Sequence, residues 1–144
     1  MTMKKNKVIT ELKRIARENG GLLQPEVVVE EARPKSSPLH SRFTWDDAEA
    51  AHAYRIWQAR QLIRVSVEVL AGTKTEMDVF VSLSPDRQRD SGGYRIMTDV
   101  LSNQEMRAIM LKDALAELEL FHEKYQKLKE LSAVFAAIKK VRRK

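Results

Sequence analysis

Hydrophobic residues in the first part of the chain recur with helical spacing. Between residues 7 and 18, one face of a 3.6-residue repeat carries Val8, Leu12, Ile15 and Ala16. Gly20 and Gly21 follow, and glycine readily adopts the left-handed conformation that ends a helix. Pro25 suits the first turn of a second helix. The pattern therefore predicts helices at 7–18 and 25–32.

A third, longer helix is predicted at 45–63, after a loop at 33–39 that is rich in proline and serine. Thr44 stands three residues before Asp47, which approximates a capping box, and two aspartates complement the positive end of the helix dipole. The apolar face of this helix is formed by Ala48, Ala51, Ile56, Ala59, Leu62 and Ile63. Trp45 and Trp57 lie on different sides of it, so we expect at least one of them to pack against another element.

Alternation of polar and apolar residues replaces the helical spacing at 64–70 and again at 78–83. A turn containing glycine separates the two segments, which together predict a β-hairpin. Residues 84–93 read as a polar loop, and residues 94–97 are a candidate third strand.

The last third of the chain shows only helical spacing. Ser102 and Glu105 have the spacing of a capping box, and no glycine or proline occurs between 103 and 140. The apolar positions that we assign to an oligomer interface are Leu111, Leu115, Leu118, Tyr125, Leu128 and Phe135. One helix over 103–140 would be about 57 Å long at 1.5 Å per residue. The segment therefore either folds back, with a break at Ser132 and Ala133, or pairs with a second copy of the chain.

These elements predict an α+β fold that is mostly α. Residues 1–100 form a winged-helix-like head and 101–144 form a long helix or helical hairpin with a basic tail. In a winged helix the third helix enters the DNA major groove. A polar stripe of His52, Arg55, Gln58 and Gln61, flanked by Arg60 and Arg64, carries residue types that read base edges. Against this reading, three carboxylates begin the helix, so a solvated face or a protein interface remains an alternative.

The net charge of +6 is concentrated at the two ends of the chain. Lys4, Lys5 and Lys7 carry +3 and the last six residues carry +5, which leaves −2 on residues 8–138. Basic ends bind phosphates without reading sequence, although cations at a helix end also simply complement its dipole. The residues that we assign to nucleic-acid binding are Lys4, Lys5, Lys7, Arg55, Arg60, Arg64, Lys74, Lys139, Lys140, Arg142, Arg143 and Lys144.

No motif in the chain indicates catalysis. Cysteine is absent, which excludes thiolate metal sites and disulfides. His40, His52 and His122 are far apart and match no metal-binding spacing, and the glycine pairs match no phosphate-binding loop. His122 is expected in the core or an interface. We therefore predict no enzyme activity, no cofactor and no metal, and the absence of a long apolar run predicts no membrane span.

One stretch resembles a known family. Residues 20–69, and above all SPLHSRFTWDD at 37–47, resemble small proteins encoded by tailed bacteriophages and prophages with the pattern GxLxPExVVxxAR…SPLHxxFxWDD. The similarity extends over about residues 14–100. It implies a phage origin and the cytoplasm of the host bacterium, and it implies no catalytic residue or partner. In physical terms, Pro38, Leu39, His40 and Phe43 would pin the loop before the third helix.

Two functions from different classes follow. The first is a phage-encoded, oligomeric accessory protein that binds DNA in replication, recombination, packaging or regulation. The second is a protein–protein adaptor or a virion or assembly component, which contacts other phage or host proteins through the long helix and the acidic surface of the head.

Overall fold

A computed structural model describes residues 2–45, 49–69, 72–89 and 92–143. This part of the chain is mostly helical, with a small antiparallel sheet and a long C-terminal helix. The chain divides into two units, Met1–Ser102 and Asn103–Lys144. Each unit is described by itself below.

The first unit is built on helix α1, Thr2–Glu18, and helix α2, Pro25–Ala32. Helix α1 begins five residues before the predicted start. Leu12 and Ile15 are fully buried, and α1 ends where Gly20 and Gly21 take positive φ angles of 68° and 84°. In α2 the β-branched Val28 and Val29 are fully buried as well. Their burial offsets the weak helix propensity of valine.

Helix α3 spans Glu49–Arg64 and ends one residue beyond the predicted 45–63. Trp45 lies outside the helix, after a single 3₁₀ turn at His40–Arg42. The predicted cap at Asp46 and Asp47 lies outside the described residues. Ala59 and Ile63 face the core, as the apolar pattern predicts.

The strands form two separate antiparallel sheets instead of the one predicted hairpin. Strand β2, Val67–Val69, pairs with β3, Glu76–Asp78, whereas β4, Phe80–Val81, pairs with β5, Tyr94–Ile96. Strand β1, Leu22–Leu23, pairs with the other edge of β5, which gives the order β1-β5-β4.

Buried Val79 explains why the predicted strand 78–83 divides. Its N–H donates to the carbonyl of Ser66 and its carbonyl accepts from the N–H of Met97, at 3.0 and 2.7 Å. The backbone of Val79 therefore connects the two sheets. The valine side of segment 64–70 is not its buried side, because Val65 and Val69 are both 62% exposed whereas Ser66 is 3% exposed.

The polar segment 84–93 is more ordered than a simple loop in the part that the structure describes. It begins with a short helix α4, Ser84–Arg87, and Asp86 in this helix is only 3% exposed. The two carboxylate oxygens of Asp86 accept from Nε and Nη2 of Arg95, at 2.7 and 3.0 Å. Helix α5, Met97–Ser102, follows β5 directly and ends the first unit.

The second unit is a helical hairpin. Helix α6, Gln104–Tyr125, is followed by a 3₁₀ turn at Lys129–Leu131 and by helix α7, Ser132–Arg142. The break therefore comes before the predicted Ser132–Ala133 position. Phe135 stacks on His122 with ring centroids 4.3 Å apart, and Arg142 pairs with Glu119 at 2.5 Å. Of the two alternatives for this segment, these contacts favour the folded-back hairpin.

The cap of α6 also differs from the predicted capping box. The side chain of Asn103 accepts from the N–H of Met106 at 3.0 Å. The Ser102 hydroxyl instead donates to the carbonyl of Thr98 at 2.9 Å. Ser102 thus belongs to the end of α5, and Asn103 begins the next helix.

Candidate nucleic-acid interface

Helix α3 has a buried face and an exposed face, and the exposed face carries two large aromatic rings. Residues 55, 59 and 63 recur at intervals of four and are at most 5% exposed. The opposite face presents Tyr54 and Trp57, which are 49% and 51% exposed. Gln61 and Arg64 continue this face toward the end of the helix. We call Tyr54, Trp57, Gln61 and Arg64 the outward face of α3.

The aromatic rings on the outward face contact each other. Tyr54 and Trp57 stack with centroids 5.6 Å apart and an angle of 18° between their planes. Such a pair is a flat, apolar platform, and Arg64 places an exposed cation two turns from Trp57 on the same face. A platform of this kind can stack against nucleic-acid bases or against apolar side chains of another protein.

The predicted base-reading stripe requires a correction, because two of its members serve the fold. Arg55 is only 5% exposed, and its Nη1 donates to the carbonyl of Thr44 at 3.0 Å. The Oε1 of Gln58 accepts from the N–H of Thr44 at 3.2 Å. Both side chains hold the segment that enters α3, so Arg55 is withdrawn from the nucleic-acid assignment. His52 is exposed at the start of the helix.

Trp45 lies in the segment that Arg55 and Gln58 hold, and several side chains pack around its ring. It stacks on His40 with centroids 5.0 Å apart and an interplanar angle of 8°, and its Nε1 donates to the carbonyl of His40 at 2.9 Å. The guanidinium groups of Arg33 and Arg55 lie 5.5 and 5.4 Å from the Trp45 ring centroid. Phe43 also contacts this ring, with centroids 5.6 Å apart and an interplanar angle of 42°. Leu39, His40, Phe43 and Trp45 of the SPLHSRFTWDD motif therefore pack within the head.

The remaining predicted nucleic-acid residues of the first unit are dispersed. Lys74 is exposed in the turn between β2 and β3, and Arg60 is partly buried on α3. Lys7 is exposed on α1. Lys4 and Lys5 lie in the first turns of α1, and their side chains are outside the described part of the structure.

The basic tail belongs to α7 in the second unit. Lys139, Lys140 and Arg143 are exposed, whereas Arg142 is paired with Glu119. Lys144 lies outside the described residues. The pair with Glu119 removes one of the cations that the sequence assigns to phosphate binding.

Some of the predicted oligomer residues are exposed, whereas others pack within the second unit. Leu111, Leu118 and Leu128 are 53%, 39% and 46% exposed, and Leu115 and Tyr125 are half-buried. Phe135 is 7% exposed and packs inside the hairpin against Phe121 and His122, so its assignment to an intermolecular interface is corrected. Leu120, at 66% exposure, is the most exposed of these apolar side chains.

Sequence reasoning missed Tyr54 and Trp57, although a signal for them was present. The apolar residues Ala59 and Ile63 define the buried side of α3, and the 3.6-residue repeat then places Tyr54 and Trp57 opposite to it. The prediction of one outward polar stripe is wrong for Arg55, because the outward side of α3 carries two aromatic rings and its buried side includes this arginine.

Across the described ranges, no group of three or more side chains is arranged to hold a metal ion. No helix in those ranges is long and apolar enough to cross a membrane. Comparison of the chain with protein-family models, with curated proteins and with solved structures returned no match.

Proposed function

We propose that this protein is a phage-encoded accessory protein that binds nucleic acid without catalysis, and that the outward face of α3 makes the contact. Its role would lie in DNA replication, recombination, packaging or regulation in the host cytoplasm. The observation that carries this proposal is the exposed, stacked pair of Tyr54 and Trp57 on the third long helix of the head.

The order of elements supports a winged-helix reading of the head. A winged helix runs helix, strand, helix, helix, strand, strand, and α1, β1, α2, α3, β4 and β5 follow this order. Its third helix is the one that meets DNA. On this reading the wing is the segment between β4 and β5, which includes α4, and the β2–β3 hairpin is an addition that follows α3.

The chemistry of the outward face fits unpaired bases better than intact duplex. Each base that stacks on an aromatic side chain contributes about 1–3 kcal/mol, and every base offers such a face. A cation at Arg64 supplies a phosphate contact beside the rings. We therefore expect single-stranded DNA, or a junction with an unpaired end, to bind more tightly than blunt duplex.

Fluorescence anisotropy tests the proposal with single-stranded and duplex oligonucleotides of equal length at ~50 mM salt. The double variant Tyr54→Ala/Trp57→Ala is expected to lose most of the single-strand affinity. Val69→Ala, which truncates another exposed apolar side chain of the head, is the matched control. Absence of any DNA affinity in the full-length protein at this salt concentration would refute the proposal.

The second candidate function is a protein–protein adaptor or a virion or assembly component. It is favoured by the exposed apolar side chains of α6, which include Leu111, Leu118 and Leu120. These residues also support self-association, since a second copy would remove them from water. Light scattering at about the 16.6 kDa mass of one chain would argue against self-association.

A further inference from the structure

We propose that a cleft in the head, separate from the outward face of α3, binds a phosphate group. The cleft lies between α1 and the loop that joins α2 to α3. It has a volume of about 540 Å³, and its polar lining consists of Lys7, Lys35, Ser37, His40, Ser41 and Arg42. This volume falls within the range of about 300–1,000 Å³ that is typical of small-molecule sites.

The charge of the lining points to an anion. Lys7, Lys35 and Arg42 carry three formal positive charges, and none of the lining residues that the structure describes is acidic. Within the described ranges, none of these three side chains forms an ion pair. Three cations around one cavity repel each other unless a counter-charge enters, and a phosphate provides up to two negative charges.

The neighbouring cations of the head behave differently. Lys13 pairs with Glu68 at 2.7 Å, and Arg17 pairs with Asp99 at 3.4 Å. Arg14 contacts Glu11, Glu18 and Glu31, and the hydrogen bond that Arg14 donates to Glu11 is the largest of the effects that raise the pKa of its guanidinium. These three cations of α1 are thus paired within the fold, whereas no ion pair among the described residues engages the three cations of the cleft.

The wall of the cleft is held by hydrogen bonds within the loop and to the end of α2. The N–H of Ser37 donates to the carbonyl of Pro34 at 2.9 Å, and the N–H of Arg42 donates to the carbonyl of Leu39 at 3.0 Å. Leu39 itself is fully buried and anchors the loop. The Nδ1 of His40 donates to the carbonyl of Ala32 at 3.0 Å. A preorganised wall reduces the entropy that a bound anion must offset.

The hydroxyl groups complete the site. Ser37 Oγ accepts from the N–H of Leu39 at 3.1 Å, which leaves its hydroxyl hydrogen able to donate to a phosphate oxygen. Ser41 adds a second hydroxyl on the same lining. Lysine, arginine and serine donors together match the oxygen acceptors of a phosphate, whether it belongs to a free nucleotide or to a nucleic-acid backbone.

Isothermal titration calorimetry of the full chain with sodium pyrophosphate and with ATP tests the site. Lys35→Ala and Arg42→Ala are each expected to weaken binding of one or both probes about tenfold or more, as for a lost charge-assisted hydrogen bond. The matched control is Arg17→Ala, which removes an ion-paired cation of α1 outside the cleft. Far-UV circular dichroism checks that each variant folds.

The source of the phosphate is distinguished by anisotropy with single-stranded DNA over a range of salt concentrations. If the ligand is a free nucleotide, the cleft variants lose pyrophosphate and ATP but keep their DNA affinity. If it is a backbone phosphate, each variant reduces the salt slope of DNA binding by about one. The site is refuted if the cleft variants match the wild-type protein with all three probes. Because Tyr54 and Trp57 are unaltered, that result leaves the function proposed for α3 standing.

Discussion

On both faces of α3, side chains lie where their residue type alone would not place them. On the inward side, Arg55 and Gln58 hold the backbone at Thr44, although both are residue types that read DNA bases. On the outward side, Tyr54 and Trp57 are half exposed, although aromatic rings usually fill cores. Residue type alone therefore does not identify a contact surface; the phase of the helix against its core does.

The head contains both buried and exposed ion pairs. Breaking a buried pair should lower the free energy of unfolding more than any of the other substitutions. Asp86→Ala removes the partner of Arg95, which is itself mostly buried. We expect a loss of about 3–5 kcal/mol in the free energy of unfolding, because one charge stays buried without its partner. Urea denaturation measures this loss.

The control for Asp86 is Asp99→Ala, since Asp99 pairs with Arg17 at the surface. This change should cost at most about 1 kcal/mol. Equal effects of the two substitutions would contradict the distinction between buried and exposed charges.

The two tryptophans allow the same comparison between a packed side chain, Trp45, and an exposed one, Trp57. Trp45→Ala removes a ring that packs against His40, Phe43 and two guanidinium groups. We expect it to lower the free energy of unfolding by about 3 kcal/mol. Trp57→Ala should change it by no more than about 0.5 kcal/mol, because the ring lies at the surface. Thermal and urea unfolding of both variants measure the difference, and comparable losses would contradict the assignment of Trp57.

Binding should reverse the order of these two variants. Trp57→Ala is expected to weaken single-stranded DNA binding by about 1–3 kcal/mol, since it removes a stacking surface. Trp57→Phe keeps an aromatic ring and should recover part of this affinity. Titration by anisotropy measures the change. Full affinity in Trp57→Ala would move the contact surface away from α3.

The smallest expected effect concerns the cation on the outward face. Arg64→Gln should reduce the salt slope of DNA binding by about one, with a modest loss of affinity at low salt. Arg17→Gln serves as the control, because Arg17 already pairs with Asp99. An unchanged slope in Arg64→Gln would show that Arg64 does not touch a phosphate.

Several features of the fold could be predicted from local pattern. The apolar repeat of Leu12 and Ile15 marked α1, and Pro25 marked the start of α2, because such signals act within one or two turns of a helix. The divided strand at Val79 could not be predicted, since its backbone hydrogen bonds join it to Ser66, directly before β2, and to Met97, directly after β5. Pairing between distant strands leaves no short-range trace in the sequence.

The sequence also could not predict which distant residues meet in the cleft and in the hairpin. Lys7 stood out as part of a basic end, but nothing in the sequence placed Lys35 and Arg42 beside it, because the loop brings them together only in the folded head. Phe135 had the spacing of an interface residue and instead packs within its own hairpin. A helical repeat identifies the apolar face but not the element that covers it.

By itself, the sequence determined that the chain is mostly helical, that it contains no cysteine, and that its positive charge is concentrated at its ends. These properties follow from composition and from periodicities of two and 3.6 residues. Only the tertiary structure decided which arginines are buried or paired within the fold and which remain exposed. The reason is that burial and ion pairing are properties of three-dimensional neighbours, which residues distant in the chain supply.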